Sequence, residues 1–590
     1  MNRGGGNSPA LRGVFICFLA LPAVNGGVQE KFLSESIRPH SKEPWFSEVA
    51  AESGLVFEHF TGATGQYYLP EIMGAGGALF DYDSDGDLDV LLVQGTMLDD
   101  QSLENAIFPF PLNSPQGHRL FRNDLIDPSG NHGDLVFVDV TEEAGLNLIG
   151  YGMGVAIGDY NNDGHLDVYI TQFGSNILLR NNGDGTFIDA TVHAGVDDTR
   201  WSTAATFFDY NQDGYLDLFV VNYIDFTVAG NKTCFDSIGG RDYCNPRQYR
   251  PMPDQLFRNN KDGTFTNVTQ ESNLSSSFGP GLGVVAADFN RDGWMDLYVA
   301  NDGAANLLWL NQGDGTFQED ALMAGAAFNA EGAPEGSMGV AAGDFDQDGD
   351  EDLFMTHLTL ETNTLYVNEG EGYFQDETVV VGLAAPSYAF TGFGTGWFDY
   401  DNDGLLDLFI ANGAVNNLQE HQGDPYPFHQ INQLFRNLGE SRFQEMTSQA
   451  GPALALSEVS RGTAFGDIDN DGDVDILLTN NKGPVRLFLN RVGNKNHWLR
   501  VRLVDSGGIP EAVGARIGVI RSGKPTLWQR VRRDGSYLSA SDATVHFGLG
   551  SDPDIQEVVV HWPDGGVEKW KSVTVDSLII LTRGEGEFMA

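Results

Sequence analysis

The stretch Gly158-Asp159-Tyr160-Asn161-Asn162-Asp163-Gly164-His165-Leu166-Asp167, followed at once by Val168-Tyr169-Ile170-Thr171, decides the fold. Its pattern, D-x-[DN]-x-D-G-x-x-D, begins seven times, at Asp81, Asp159, Asp209, Asp288, Asp344, Asp399 and Asp467, and each copy runs into a short apolar segment. Oxygen atoms on alternate residues of a tight turn converge on one hard cation, and the glycine at position six supplies the backbone conformation that closes the turn. A single copy would also read as an acidic turn whose Asp and Asn bond only their own backbone. Seven copies with the same glycine and the same following strand point instead to metal.

The expected ligands are the side chains at positions one, three, five and nine and the backbone carbonyl at position seven. In chain order these are Asp81, Asp83, Asp85, Asp87 and Asp89; Asp159, Asn161, Asp163, His165 and Asp167; Asp209, Asn211, Asp213, Tyr215 and Asp217; and Asp288, Asn290, Asp292, Trp294 and Asp296. The last three loops offer Asp344, Asp346, Asp348, Asp350 and Asp352; Asp399, Asp401, Asp403, Leu405 and Asp407; and Asp467, Asp469, Asp471, Asp473 and Asp475. Position seven varies without regard to chemistry, as a carbonyl ligand allows. Such a set, with water, fills the coordination sphere of Ca2+, and up to seven ions are expected; magnesium demands a stricter octahedron. An EF-hand is excluded: position twelve is Leu92, Ile170, Val220, Val299, Met355, Ile410 or Leu478, and the flanks read as β-branched and aromatic strands.

Two further landmarks recur seven times. One is a strand ending in Asn, at Asn123, Asn181, Asn259, Asn311, Asn368, Asn437 and Asn490; the other begins with Phe, as in FVDVTEEAGL (137–146), with copies at Phe46, Phe187, Phe265, Phe317, Phe374 and Phe443. Asn and Phe are joined by Gly-rich turns such as Asn182-Gly183-Asp184-Gly185, a hairpin signal. Several short strands per ~50 residues predict an all-β, seven-bladed β-propeller over 46–492. The seventh loop's strand ends at Asn490 with no Phe landmark after it, while FSEVAAESGL (46–55) precedes the first loop. The N-terminal strand is therefore expected to complete the last blade and close the ring, and a small β domain is expected over 493–590.

Against 34 basic residues stand 83 acidic ones, a net charge of −49 that opposes nucleic acid and anionic membrane surfaces. Of those acids, 28 lie at odd positions of the seven loops, so part of the acidity is ligand charge. Arg3 and Arg12, the apolar stretch Val14–Val24 and the small residues to Gly27 read as a signal peptide (1–27) with a linker over 28–45. No later stretch approaches transmembrane length, which predicts a secreted, periplasmic or cell-surface protein without a membrane span after processing. Cys17 lies in the signal; Cys234 and Cys244, in a Gly/Pro-containing loop, are expected to form a disulfide, with a metal or redox pair as the alternative.

From loop Asp to landmark Asn is 42 positions in the first unit, 50 in the third and 38 in the sixth, against 22 to 24 elsewhere. The insertions, about 95–117, 222–253 and 412–431, occupy the same inter-strand connection and so one face, the candidate binding surface. Phe108, Phe110, Tyr223, Phe226, Tyr243, Tyr249, Tyr426, Phe428 and His429 lie there, either to meet a partner or to pack over the loops themselves. His357 is a solitary histidine after a strand, and Trp562-Pro563-Asp564-Gly565 a turn after the strand 557–561.

The repeats, through Gly158–Gly164 and Gly466-Asp467-Ile468-Asp469-Asn470-Asp471-Gly472, resemble the FG-GAP or VCBS repeats of integrin α-chain propellers. The tail is similar to the ASPIC/UnbV domain, through Val513-Gly514-Ala515-Arg516, Gly535-Ser536-Tyr537-Leu538-Ser539, His546-Phe547-Gly548-Leu549-Gly550 and Trp562-Pro563-Asp564-Gly565. Together they resemble the cartilage acidic protein family, which implies a secreted calcium-binding protein and no known reaction. The leading expectation is a non-enzymatic module binding an extracellular protein or glycan. A propeller enzyme acting on polysaccharide and a surface-assembly scaffold are the alternatives; no G-x-S-x-G, H-E-x-x-H or Cys/His arrangement supports catalysis.

Overall fold

Alternation of apolar residues along each short strand sends neighbouring side chains to opposite faces, and both faces find a partner. In the computed structural model, which describes residues 43–99, 101–111, 115–126, 130–236, 239–417, 421, 423–505 and 511–589, the chain is all-β with a few helices of one turn. The expected signal peptide and most of the linker lie outside the described residues.

Among the described residues there are seven four-stranded antiparallel sheets. Sheet 1 is Gly77–Phe80, Asp89–Leu92, Arg119–Asn123 and Phe137–Asp139. Sheets 2 to 6 repeat it, starting at Gly152–Gly158, Ser202–Phe208, Gly281–Ala287, Val340–Gly343 and Gly392–Phe398. Sheet 7 is Ser460–Gly466, Asp475–Asn480 and Arg486–Asn490, and its fourth strand is Phe46–Glu48 from the start of the chain. Every acidic loop joins the first and second strands of its sheet. Every landmark Asn stands opposite a landmark Phe in the register, from Asn123↔Phe137 through Asn437↔Phe443 to Phe46↔Asn490.

The apolar faces pack sheet against sheet. Ala78, Phe80 and Leu91 of sheet 1 share a core with Val155, Val168 and Ile170 of sheet 2, while Leu79, Val90 and Leu92 point the other way, against Leu477, Leu487 and Leu489 of sheet 7. The first strands of successive sheets lie side by side, and that of sheet 1 also lies beside that of sheet 7. Glycine permits this approach: a Cβ on Gly339 would sit 2.0 Å from the Phe393 carbonyl oxygen and one on Gly394 2.5 Å from that of Arg461.

After residue 496 the chain forms two further sheets, one of His497–Val504, Val545–Gly550 and Leu578–Thr582, the other of five strands including Arg516–Ile520 and Glu557–His561. Their shared core holds Leu499, Val501, Ile517, Phe547, Val558 and Trp562. The expected turn after Glu557–His561 is closed by the Trp562 amide bonding the Gly566 carbonyl. These sheets stand on the acidic-loop side: Arg500 bonds Asp467 (2.8 Å) and Asn470 (2.9 Å), Arg530 bonds Glu351 (2.9 Å), and Asn496 bonds the Asp401 carbonyl (2.7 Å).

One segment of this C-terminal part, 534–541, reaches the first strand of all seven sheets. The amides of Leu79, Val155 and Val340 bond the carbonyls of Ala540, Leu538 and Ser536 (3.0–3.2 Å). Asp534 accepts from the Ala286 amide and the Thr206 hydroxyl, and the Thr395 and Phe465 amides donate to Ser536 and Ser541. Tyr537, fully buried, donates to the Met73 carbonyl (3.0 Å) and meets the Phe393 ring edge-on at 4.8 Å.

Candidate functional site

The acidic loops are built alike. The position-one carboxylate accepts the amide of the position-six glycine in all seven, at 2.7–3.1 Å. The position-nine carboxylate, buried at the start of the second strand, accepts the landmark Asn amide at 2.7–2.9 Å and the position-two amide at 2.9–3.3 Å. Position nine thus ties loop to third strand. At position seven the side chain leaves the turn and lies over the following hairpin, where Gly183 and Gly313 make room for His165 and Trp294.

Four loops gather three carboxylates within reach of one ion: Asp81, Asp83 and Asp85; Asp344, Asp346 and Asp348; Asp399, Asp401 and Asp407; Asp467, Asp469 and Asp475. Their donor set is left open. One buried oxygen each of Asp83, Asp87, Asp344, Asp401, Asp469 and Asp473 has no hydrogen-bond partner, and a buried carboxylate oxygen is costly unless something positive meets it. Burial first, and neighbouring carboxylates second, push Asp83 up to about 6, Asp401 to about 6 and Asp469 to about 7. Hard oxygen donors, crowded and unpaired, fit a divalent cation. In loops two to four Asn161, Asn211 and Asn290 replace the position-three acid; Asn161 and Asn290 donate to Asp163 and Asp292 at 2.9 Å, so these loops are less starved of positive charge.

The landmark Asn does more than end a strand, which its place in the sequence does not state. Its side-chain amide donates to the position-eight carbonyl of its own loop, at 2.9–3.3 Å, and to the position-two carbonyl of the preceding sheet's loop, at 2.7–3.2 Å. Asn181 reaches Tyr82, Asn259 reaches Tyr160, and Asn123 reaches Ile468. The signal was in the sequence: a buried strand end that is Asn seven times in seven needs a reason beyond turn propensity.

On the opposite side stand the three insertions. Cys234 and Cys244 form the expected disulfide. The aromatic residues divide: Tyr223, Phe226, Tyr426 and Phe428 are buried in clusters with Trp201 and Tyr68 or with Phe108, so much of that set packs over the loops, while Tyr243 stays half-buried. Tyr243 and Tyr223 border a cavity of about 700 Å3 walled by the disulfide loop. Its floor is Ile72, Met73 and Phe393, in front of Tyr537, and its polar lining includes Asp236, Asp242 and Asp302. Beside it Glu71, buried, accepts from the Tyr243 hydroxyl (3.0 Å), and burial pushes its carboxyl up to about 7. His357 is buried 3.6 Å from Glu335 and is held by burial down at about 4, a neutral ring within the structure. Among the described residues no helix is long and apolar enough to cross a membrane.

Comparison with known proteins matches the pattern "FG-GAP-like repeat" at 159–220, 244–299, 288–355, 344–410 and 399–478, each match but the second starting on a loop's first Asp, and "ASPIC and UnbV" at 506–588. Cartilage acidic protein 1 of human is 29% identical over 313 residues, covering 51% of this chain and 43% of that protein; the mouse protein is 30% identical over 308 residues, covering 51% and 44%. The match spans less than half the length of these relatives. Among solved structures, an Agrocybe aegerita lectin that recognises non-reducing terminal N-acetylglucosamine aligns at 18% identity and TM-score 0.34, over 64% of this chain and 90% of its own. A Bacillus licheniformis rhamnogalacturonan lyase aligns at 10% and 0.28, over 71% and 89%. Neither likeness bears on function at such scores. The repeat matches, taken together, span half of the chain, and the chain belongs to the FG-GAP-like repeat family and carries an ASPIC and UnbV domain near its C-terminal end.

Proposed function

We propose that this protein is an exported, calcium-braced, seven-bladed propeller that acts as a non-enzymatic binding module for an extracellular protein or glycan. The cyclic set of Asn bridges, running from sheet to sheet and from Asn123 back to Ile468, supports a closed ring in which Phe46–Glu48 completes the last blade. In this reading the propeller occupies 46–492 and the C-terminal domain 493–590, with 534–541 filling the ring's axis. Calcium takes the side chains at positions one, three, five and nine and the carbonyl at seven, and stiffens the loop that each Asn bridge grips. A surface preorganised in this way binds without first ordering itself. The disulfide supports export to an oxidising compartment.

The observation that carries the binding reading is the asymmetry of the two faces. The loop face is repetitive, and the C-terminal sheets stand against several of its loops, whereas the insertion face is unique in sequence and opens on a cavity of about 700 Å3. The test is a screen of purified protein against secreted proteins and glycans, with calcium and with chelator. Calcium-dependent binding without turnover is the expected result. A product released from a glycan, and abolished by a substitution outside the loops, would replace this reading with an enzyme.

A further inference from the structure

We propose that the cavity on the insertion face is a receptor for a basic side chain, arginine foremost, presented by a protein partner. The inference rests on the binding-module reading and names the chemistry its site would take. Three features of the cavity carry it.

The first is size and floor. A space of about 700 Å3 with Ile72, Met73 and Phe393 at its base has the volume and apolar lining of sites that enclose a small group. The second is charge. Asp236, Asp242 and Asp302 line the wall, and no Lys, Arg or His is among the lining residues. The basic side chains nearby are bound to carbonyls and stay out of the lining: Arg247 donates to the Gly303 carbonyl (3.1 and 2.9 Å) beside Asp302, Arg241 donates to the Gln66 carbonyl and lies over Tyr67, Lys232 donates to the Gln248 carbonyl, and Arg461, behind the floor, donates to the Ile72 carbonyl and lies 3.9 Å over the Phe393 ring. The third is preorganisation. The Tyr223 hydroxyl donates to Asp302 (2.5 Å), the Tyr243 amide donates to Asp242 (2.8 Å), and the Cys234–Cys244 bond fixes the loop that carries Asp236 and Asp242.

An arginine fits this combination better than a sugar or an acid. Its aliphatic stem covers apolar floor while its planar guanidinium offers paired donors to carboxylates. The net charge of −49 draws cations toward the whole protein, so the test must separate site from field.

The experiment titrates N-acetyl-arginine amide and its neutral isostere N-acetyl-citrulline amide into the calcium-loaded full chain, read by ligand-detected NMR. Three variants are compared: Asp242→Asn/Asp302→Asn, the charge-matched Glu142→Gln/Glu143→Gln in an exposed turn, and Asp236→Asn alone, which keeps Asp242 and Asp302. Arginine should bind about tenfold more tightly than citrulline, and the Asp242/Asp302 variant should lose about the same factor, as expected for a charge-assisted contact. The Glu142/Glu143 variant should bind as the parent does, and Asp236→Asn should weaken binding about threefold with an unchanged melting curve. Equal binding of citrulline, or an equal loss in the Glu142/Glu143 variant, overturns the proposal. So does unaltered binding by both cavity-acid variants. If a partner from the screen binds the insertion face but is neither displaced by the arginine amide nor weakened by these variants, this inference falls and the module reading stands; if nothing binds at all, both fall.

Discussion

The two ends of the sheets are made by different rules. On the loop side one nine-residue turn is written seven times, its glycine in place every time and its carboxylates crowded in four copies, and Arg500 and Arg530 of the C-terminal sheets are set against the acids there. On the insertion side no such repeat is written; a disulfide, an aromatic cluster and a one-turn helix at Pro70–Met73 border a cavity. The contrast separates two jobs. Repetition gives every sheet the same Asn bridge to its neighbour's loop. Under the proposed function, singularity confines recognition to the one face where a unique shape can exist, and leaves the other free to hold the chain together.

The sharpest test of that division is metal removal. A chelator should lower the melting temperature by more than about 10 °C, since each site filled at a hundred times its dissociation constant adds about 2.7 kcal/mol and several sites act together. An unchanged melt would mean that the loops stand by hydrogen bonds alone. Next comes the segment that touches every sheet: Tyr537→Ala empties a fully buried ring and should destabilise the whole chain by about 3–5 kcal/mol in denaturant unfolding. A loss confined to the C-terminal sheets would show that 534–541 is a passenger and not a hub.

Asn311→Ala probes the bridge between neighbouring sheets. It strands the Tyr210 and Met295 carbonyls and should cost roughly 1–3 kcal/mol for each, with similar values at the other six landmarks. A spread of effects tracking the chain order would break the sevenfold equivalence. The smallest effect belongs to the insertion side and appears in pH. Burial raises Glu71 from 4.5 to about 7, so the folded state holds that proton more tightly than the unfolded chain. Its contribution is present below pH 4.5 and is lost as pH climbs to 7. Glu71→Gln should therefore gain stability over the parent at pH 8, by up to about 3 kcal/mol at 1.4 kcal/mol per unit, and gain nothing at pH 4. Parallel pH profiles for the two proteins would rule out a raised Glu71.

How much was legible varied with range along the chain. The loops, the hairpin between Asn and Phe, the strand alternation and the face of the three insertions rest on contacts a few residues apart, and turn chemistry states them directly. The pairing of Phe46–Glu48 with Arg486–Asn490 was also readable, because a landmark missing at one end and surplus at the other is a countable mismatch. The partners of Asn181 were not: its amide ends on Tyr82, 99 residues away, and nothing in the local sequence names that carbonyl. The insertion aromatics were readable as a group and undecidable one by one, since Phe428 and Tyr243 have the same kind of neighbours in sequence and differ in burial.

By itself the sequence determined the unit, its count, its acidic turns and the side on which variation gathers, because those follow from residue types at fixed short spacings. Only the tertiary structure decided where Gly535–Ala540 lies, which carboxylates meet, and that the second and third insertions and a disulfide line one acidic cavity. Those outcomes depend on which surfaces meet when sheets pack, a long-range balance of shape and charge that local spacing does not encode.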